Sequence, residues 1–571
     1  MKFIAAFSII VLLILLIQGK IKPYILFGSL AVLYYLLGYL TLDSYLDSYT
    51  NSSLIVLVLL LLISIVIEKS TIIEYFSKII ISKNYYFSLF RLGVIVSSIS
   101  AFLNNTAVVA SFIGLIKNNK YQLPSKLLIP LSYFSIVGGT MTLIGTSTNL
   151  IVNSFVVENG LSSLKMFDFF IVGFCITFIS ISLIIIFSFL LPDYQRNIVN
   201  LSEYLISAKV LQKSLLIGKS VKENRLRELE SLFLLEIQRN GQSITPISSN
   251  MIIEENDILI FSGDISCVDS LRYFDGLEIG SFKEGIADLK LVDVIVVPTS
   301  NLIGKTVKEV NFRARFNAGI IAFKRGAINI TKIGKNILEA GDRLILGVGE
   351  DFHTRDNIAK NFYIISSINK QYKLNNKQSL LVITILLFII ILSALGVFSL
   401  LKSLLVFLII LFFLKFINLD EIKRRFPLEI FIVVGSSLAI TKVLIDSGLA
   451  NDFAYLIIGI FGDFGVYGSF IGVYLLTLLL TEIITNNAAA ALVFPIAFAT
   501  ALALNVNPMP FIFAVAYGAS AGFMMPHGYQ THLMVASVCG YKTTDFIKIG
   551  WIVSLGYSLV VISLVPVIFE F

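Results

Sequence analysis

Three cysteines, three histidines and one tryptophan in 571 residues leave several chemistries without material. Cys175, Cys267 and Cys539 are odd in number and far apart, with no C-x-x-C pair, which argues against a disulfide framework and a zinc site. The chain shows no Ser-His-Asp set and no H-E-x-x-H run, and no carboxylate pair stands out in its polar islands, so neither an enzyme nor a bound cofactor is expected. A T-x-G-Y-G run, the mark of a potassium filter, is missing too. Charged residues make up 14% of the chain against 56% hydrophobic, and mean hydropathy is +0.87. Many runs reach the roughly 20 apolar residues needed to cross a bilayer, so the chain reads as a polytopic α-helical membrane protein. Its net charge of +7 is assigned to cytoplasmic loops rather than to nucleic-acid binding. Met1–Lys20 begins like a signal peptide but lacks a small-x-small cleavage site, and is read as a retained first span.

Against this apolar background stand two matching sets of polar islands. The first half carries Asn104-Asn105-Thr106-Ala107, then Gly145-Thr146-Ser147-Thr148-Asn149 about forty residues on. The second carries Thr485-Asn486-Asn487-Ala488, then Pro526-His527-Gly528-Tyr529-Gln530-Thr531-His532. Polar, helix-breaking runs at membrane depth are costly unless they line a cavity. Paired breaks in two halves are the best sequence pointer to the binding site of a secondary transporter. Asn and Thr both donate and accept hydrogen bonds, helix N-termini attract anions, and carbonyl oxygens suit a hard cation such as sodium. Holding the two together means that neither charge crosses low dielectric alone, which favours cation-coupled anion transport.

Expected first-half spans lie near 3–18, 23–40, 53–68 and 166–191, with a hairpin at 85–117 and a broken helix at 124–153. Glu68–Lys83 is read as an interfacial stretch and Thr41–Asn51 as an external loop. The order repeats with spans near 379–398, 400–416, 428–446 and 549–569, a hairpin at 468–503 and a broken helix at 510–537. If both hairpins are re-entrant, each half crosses five times and the halves form an inverted repeat (1–195 and 379–571). Lys20, Lys22, Lys415, Lys423, Arg424, Arg425, Lys542 and Lys548 then share the cytoplasmic side of the cell inner (plasma) membrane, leaving both termini outside. Arg91 reads as an interfacial residue, Lys442 and Asp446 as an i,i+4 pair, and Glu482 as either a cation-site contributor or a structural partner.

Between about 200 and 360 the chain becomes charged and its apolar runs shorten to strand length. Leu216-Ile217-Gly218-Lys219-Ser220-Val221-Lys222-Glu223 recurs as Leu302-Ile303-Gly304-Lys305-Thr306-Val307-Lys308-Glu309, a period of about 86 residues that fits two tandem α/β domains. Strands are expected at Phe233–Gln238 and Ile320–Lys324, each ending in a turn. The repeated pattern resembles the TrkA C-terminal domain over 203–275 and 286–360. That resemblance implies a cytoplasmic, dimer-forming module that often takes a small ligand; a spacer without ligand is the other reading.

The membrane islands resemble the divalent anion:sodium symporter family. Asn104-Asn105-Thr106 and Asn486-Asn487-Ala488 look like its two Ser-Asn-Thr hairpin tips, and Pro130 through Leu150 is closest to its sulfate-transporter-like branch. The resemblance implies an elevator-type homodimer with sodium as coupling ion. It implies substrate contacts from Asn104, Asn105, Thr106, Thr146, Ser147, Asn486, Asn487, Gly528, Gln530 and Thr531. Cation contacts would come from Asn105, Gly145, Thr148, Asn149, Asn487, Ala488 and His532. The expected substrate is a small oxyanion, sulfate first, with a dicarboxylate or proton coupling through His527 or His532 as alternatives. An ion-conducting or sensor protein gated by a ligand of the insert is the reading from another class.

Overall fold

The computed structural model describes the chain apart from residues 20, 71–78, 195–204, 227–228, 230–231, 245–246, 248–249, 264–270, 272–273, 281–290, 298–299, 327, 331–332, 335, 349–351, 353–354, 356–357 and 366–373. Lys20, Cys267 and half of the stretch expected to be interfacial lie outside the described residues.

Apolar runs without water must satisfy their backbone internally, and this chain does so with helices. Before the charged middle come α1 (Lys2–Gln18), α2 (Pro23–Leu36), α3 (Leu42–Thr50), α4 (Ser52–Glu68), α5 (Tyr85–Ser100), α6 (Asn105–Asn118), α7 (Leu128–Gly139), α8 (Ser147–Glu158) and α9 (Phe170–Ile186). After it come α10 (Asn376–Ala394), α11 (Leu400–Phe413), α12 (Leu419–Arg425), α13 (Leu428–Asp446), α14 (Leu449–Phe461), α15 (Gly465–Ile483), α16 (Asn486–Ala503), α17 (Met509–Ala519), α18 (Gln530–Cys539) and α19 (Thr543–Ile568). Among the described residues six helical stretches are long and apolar enough to span a bilayer. The order of α1–α4 recurs in α10–α13 and that of α5–α9 in α15–α19.

Among the described residues outside the charged middle, three helices were not expected. Thr41–Asn51, read as a loop for its acidic character, holds α3. Thr41 Oγ1 caps Ser44 N–H at 3.2 Å, and Tyr49 lies against Gly435 with its hydroxyl 2.7 Å from Ser436 Oγ. In α12 Asn418 and Glu421 form a capping box, and α14 packs against α13, α15 and above all α16. Lys442 pairs with Glu158 at 2.6 Å, not with Asp446, because a partner from another helix offers a half-buried carboxylate. Arg91 is half-buried, donates to Ile79 O at 2.9 Å and lies 4.0 Å from the Phe87 ring centroid.

The chain divides into two compact units: Met1–Asp193, Tyr372–His532 and Thr543–Phe571 form one, and Tyr194–Gln371 with Leu533–Lys542 the other. The second unit holds two antiparallel five-stranded sheets. One contains β1 (Leu205–Val210), β2 (Leu232–Arg239), β3 (Gln242–Ile244), β4 (Ile258–Gly263) and β5 (Leu277–Gly280), in the order β3-β2-β4-β1-β5. The other contains β6 (Leu291–Val296), β7 (Ala318–Arg325), β8 (Ile328–Asn329), β9 (Arg343–Val348) and β10 (Phe362–Ile364), in the equivalent order β8-β7-β9-β6-β10. Each sheet covers its own apolar core. Arg239 grips Asp257 and Ile252 O in one sheet as Arg325 grips Asp342 and Ile337 O in the other. Ser220 with Glu223, and Thr306 with Glu309, form matching reciprocal caps, and these hydrogen bonds hold both carboxyls below the usual range.

The sheets differ at one buried pair. Arg343 and Asp293 meet at 2.7 Å, and Arg343 Nη1 also donates to Val538 O at 3.0 Å. The register places Ile258 and Ser207 at the corresponding points of the first sheet.

Candidate functional site

The site is built where hairpin tips meet the starts of broken-segment helices. Asn104 caps α6 by accepting Thr106 N–H at 2.9 Å, so the tip turns at the polar run instead of continuing as helix. One turn back, Ser100 Oγ donates to Asn105 Oδ1 (2.8 Å) and to Ser135 O of α7 (2.7 Å). The second tip repeats this, with Thr481 Oγ1 donating to Asn486 Oδ1 (3.0 Å) and to Ala519 O of α17 (2.7 Å). Asn105 and Asn486 therefore correspond, and both open their helices. This sets the tips one residue away from the alignment read in the sequence: Asn104-Asn105-Thr106 matches Thr485-Asn486-Asn487. Sequence matching took the two Asn-Asn pairs as equivalent, whereas the hydrogen-bonding hydroxyls of Ser100 and Thr481 set the true register.

Helices α8 and α18 begin at Ser147 and Gln530, so Thr148 corresponds to Thr531 and Asn149 to His532. Each tip then reaches the broken segment of the other half. Thr106 Oγ1 donates to Gln530 Oε1 at 3.4 Å, and Ser147 Oγ donates to Asn487 Oδ1 at 3.0 Å. Thr146 and Thr148 hydroxyls lie 2.9 Å apart, with Ser520 Oγ 3.1 Å from Thr148 Oγ1. A cavity at the first tip is lined by Asn104, Gly145 and Ser147 on its polar side and by Leu57, Leu61 and Leu386 on its apolar side.

Packing is tight on the first half. A methyl group on Gly145 would come within 2.5 Å of Gly139 O and 2.9 Å of Ala101 O, and one on Gly139 within 2.5 Å of Asn105 Oδ1. Gly528 is roomier: its nearest neighbour would be Thr481 O at 3.4 Å. Asn149 is fully buried; its Nδ2 donates to Thr142 O at 2.9 Å, while its Oδ1 has no hydrogen-bond partner. Thr531 Oγ1 is likewise buried without one. Orphaned buried oxygens are rare and mark places where an ion, water or ligand belongs.

His532 is fully buried, with Nε2 3.1 Å from Gly522 O and Nδ1 2.7 Å from Ser132 Oγ. A carbonyl only accepts, so Nε2 carries the proton and Nδ1 takes the Ser132 hydroxyl. Tyr133, Tyr529 and Phe546 rings surround it. Both nitrogens are thus used within the protein, whereas His527 is exposed. Ala488 is buried in the first turn of α16. Sequence reasoning passed over Ser100, Thr481, Ser132 and Ser520. The signal for the first two was present: a hydroxyl residue stands five places before Asn105 and before Asn486. Among the described residues no cluster of His, Cys, Asp and Glu has the makings of a metal site.

The family model described as "Citrate transporter" matches residues 5–518. The chain is 27% identical over 97% of its length to a protein of Chlamydomonas reinhardtii named putative sulfur deprivation response regulator, all of which is covered. It is 28% identical to an uncharacterised transporter of Synechocystis, covering 91% of this chain and 89% of that one. Sodium/sulfate cotransporter 1 of Chlamydomonas reinhardtii is 28% identical over 61% of this chain and 41% of its own.

Proposed function

Because the chain belongs to the citrate-transporter family of multi-pass membrane transporters, we propose that it carries a small oxyanion, sulfate first, in symport with sodium. The observation that carries this reading is the pair of contacts between halves, Thr106 with Gln530 and Ser147 with Asn487. These amides and hydroxyls hold one another and are suited to turning onto a bound oxyanion. The orphaned Oδ1 of Asn149, near Gly145 and Asn105 in the chain's first half, supplies a hard oxygen for sodium. At the corresponding place in the second half His532 is already occupied, so one sodium site, in the first half, is the simplest arrangement.

The same reading makes the two halves an inverted repeat. Both tips touch the starts of α8 and α18, which lie midway along the broken segments, so the tips sit at mid-membrane and the hairpins turn back. Ion pairs join ends that this topology puts on one face. Lys22–Glu429, Lys69–Glu421, Arg425–Glu68 and Lys126–Asp193 fall inside; Lys2–Asp452 and Lys442–Glu158 fall outside. The two sheet domains, as TrkA C-terminal-like modules, then belong to the cytoplasm as a regulatory insert, and an elevator-type homodimer completes the reading.

Radiolabelled sulfate uptake into proteoliposomes, with sodium and proton gradients imposed separately, tests it. Sodium-driven accumulation is expected. Accumulation driven by protons alone would replace sodium coupling, and the exposed His527 would be its first suspect. Uptake of citrate or succinate in place of sulfate would favour the carboxylate reading that the family's description suggests. No uptake of any of them under either gradient overturns the proposal.

A further inference from the structure

The two breaks differ in how they leave the helix. Ser135 O, which receives Ser100 Oγ, corresponds to Ala519 O, which receives Thr481 Oγ1. Helix α7 runs on from Ser135 to Gly139, but α17 ends at Ala519, and residues 520–529 are not helical. The second half therefore frees about a turn more of backbone in a buried segment, and each freed polar group needs a partner.

Many of these partners come from side chains. Ser520 O accepts from Tyr529 Oη (3.1 Å), Gly522 O from His532 Nε2 (3.1 Å) and Phe523 O from Tyr133 Oη (2.7 Å). Three successive N–H groups go to a single side chain, Glu482: Phe523 N and Met524 N donate to Oε1 at 2.9 and 3.0 Å, and Met525 N donates to Oε2 at 3.0 Å. Consecutive amides converging on one anion form a nest, and here the chain fills it with its own carboxylate. Glu482 is 9% exposed and stands beside the Thr481 that sets the tip. The corresponding position of the first half is Ala101, where the longer α7 leaves no such amides to collect.

We infer that Glu482 is a positioning residue. It holds the second break in its non-helical course, so that the segment from Met525 to Gln530 presents Gln530 to Thr106. It acts through the loop rather than by touching the transported ion. This rests on the reading above that tips and breaks form the transport site.

Two measurements on the full chain in lipid separate the two ideas: hydrogen exchange of the 520–530 and 140–146 segments, and substrate uptake by wild type, Glu482→Gln and Glu482→Asp. Glu482→Gln keeps the shape but loses the charge and one acceptor oxygen. It is expected to speed exchange at 523–525 by at least about tenfold while leaving 140–146 unchanged. It is also expected to lower the maximal uptake rate and raise KM, with Glu482→Asp falling between it and wild type. Exchange at the wild-type rate, or uptake with wild-type maximal rate and KM, overturns the assignment. Should Glu482→Gln fail to assemble, Glu482→Asp decides: faster exchange at 523–525 supports the role and wild-type exchange refutes it. If wild type itself carries no anion, the transport reading fails, and the exchange measurement alone still decides whether Glu482 holds the break.

Discussion

At the scale of single residues the two halves ask different things of equivalent positions. Gly145 has backbone carbonyls within 2.5 and 2.9 Å of where a methyl group would sit; Gly528 has nothing closer than 3.4 Å. Gly145→Ala is expected to cost on the order of 1–3 kcal/mol and to abolish uptake, because rigid backbone must move. Gly528→Ala is expected to keep uptake within about twofold of wild type, since its new contacts are ordinary ones. Parallel uptake and thermal-unfolding assays compare them; equal losses would refute the asymmetry. His532 makes a similar point. With both nitrogens engaged and three aromatic rings around it, it is wired into packing. His532→Ala is expected to destabilise by roughly 2–4 kcal/mol through lost packing and hydrogen bonds. His532→Asn is expected to leave the pH dependence of uptake unchanged. A changed pH profile would return the residue to the coupling machinery.

At the scale of elements the two sheets share strand order, Arg–Asp clamps and reciprocal caps, yet among the described residues only the second buries both members of an ion pair. Removing Arg343 takes its ion-pair partner from a carboxylate that stays buried. Arg343→Ile alone is expected to cost about 3–5 kcal/mol. Adding Asp293→Ser, which copies Ile258 and Ser207 of the first sheet, is expected to recover most of that loss. Exchange protection of β9 reads both effects; a double variant as unprotected as the single one refutes the account. Such pairs are invisible to pattern reading, because an Asp and an Arg fifty residues apart look like surface charges until the sheet sets them side by side.

At the scale of the whole molecule the proposed topology is testable at its ends. Single cysteines placed at Lys2 and Glu570, in a background without the native three, are expected to react with a membrane-impermeant thiol reagent from outside. Lys2 pairs with Asp452 of α14, and Glu570 O accepts from Asn507 Nδ2, so each terminus lies beside a segment assigned to the same face. Labelling of either end only after the membrane is breached would refute the inverted repeat.

The chain's own order of residues determined much of this protein. Apolar runs longer than a soluble helix requires dictate membrane helices. Asn and Gly/Thr runs within them dictate where those helices break, because such residues cap helices better than they continue them. The 86-residue recurrence marks two like domains, and local spacing suffices to find it. Tertiary structure decided the rest. It set the register between the tips, which depends on hydroxyls at Ser100 and Thr481 finding carbonyls in another helix. It also decided which groups His532 and Glu482 meet: each is a buried titratable residue, and by type alone each reads equally as ligand or as support. Their partners come from residues 10 to 400 positions away, and only the folded chain brings those groups within hydrogen-bond distance.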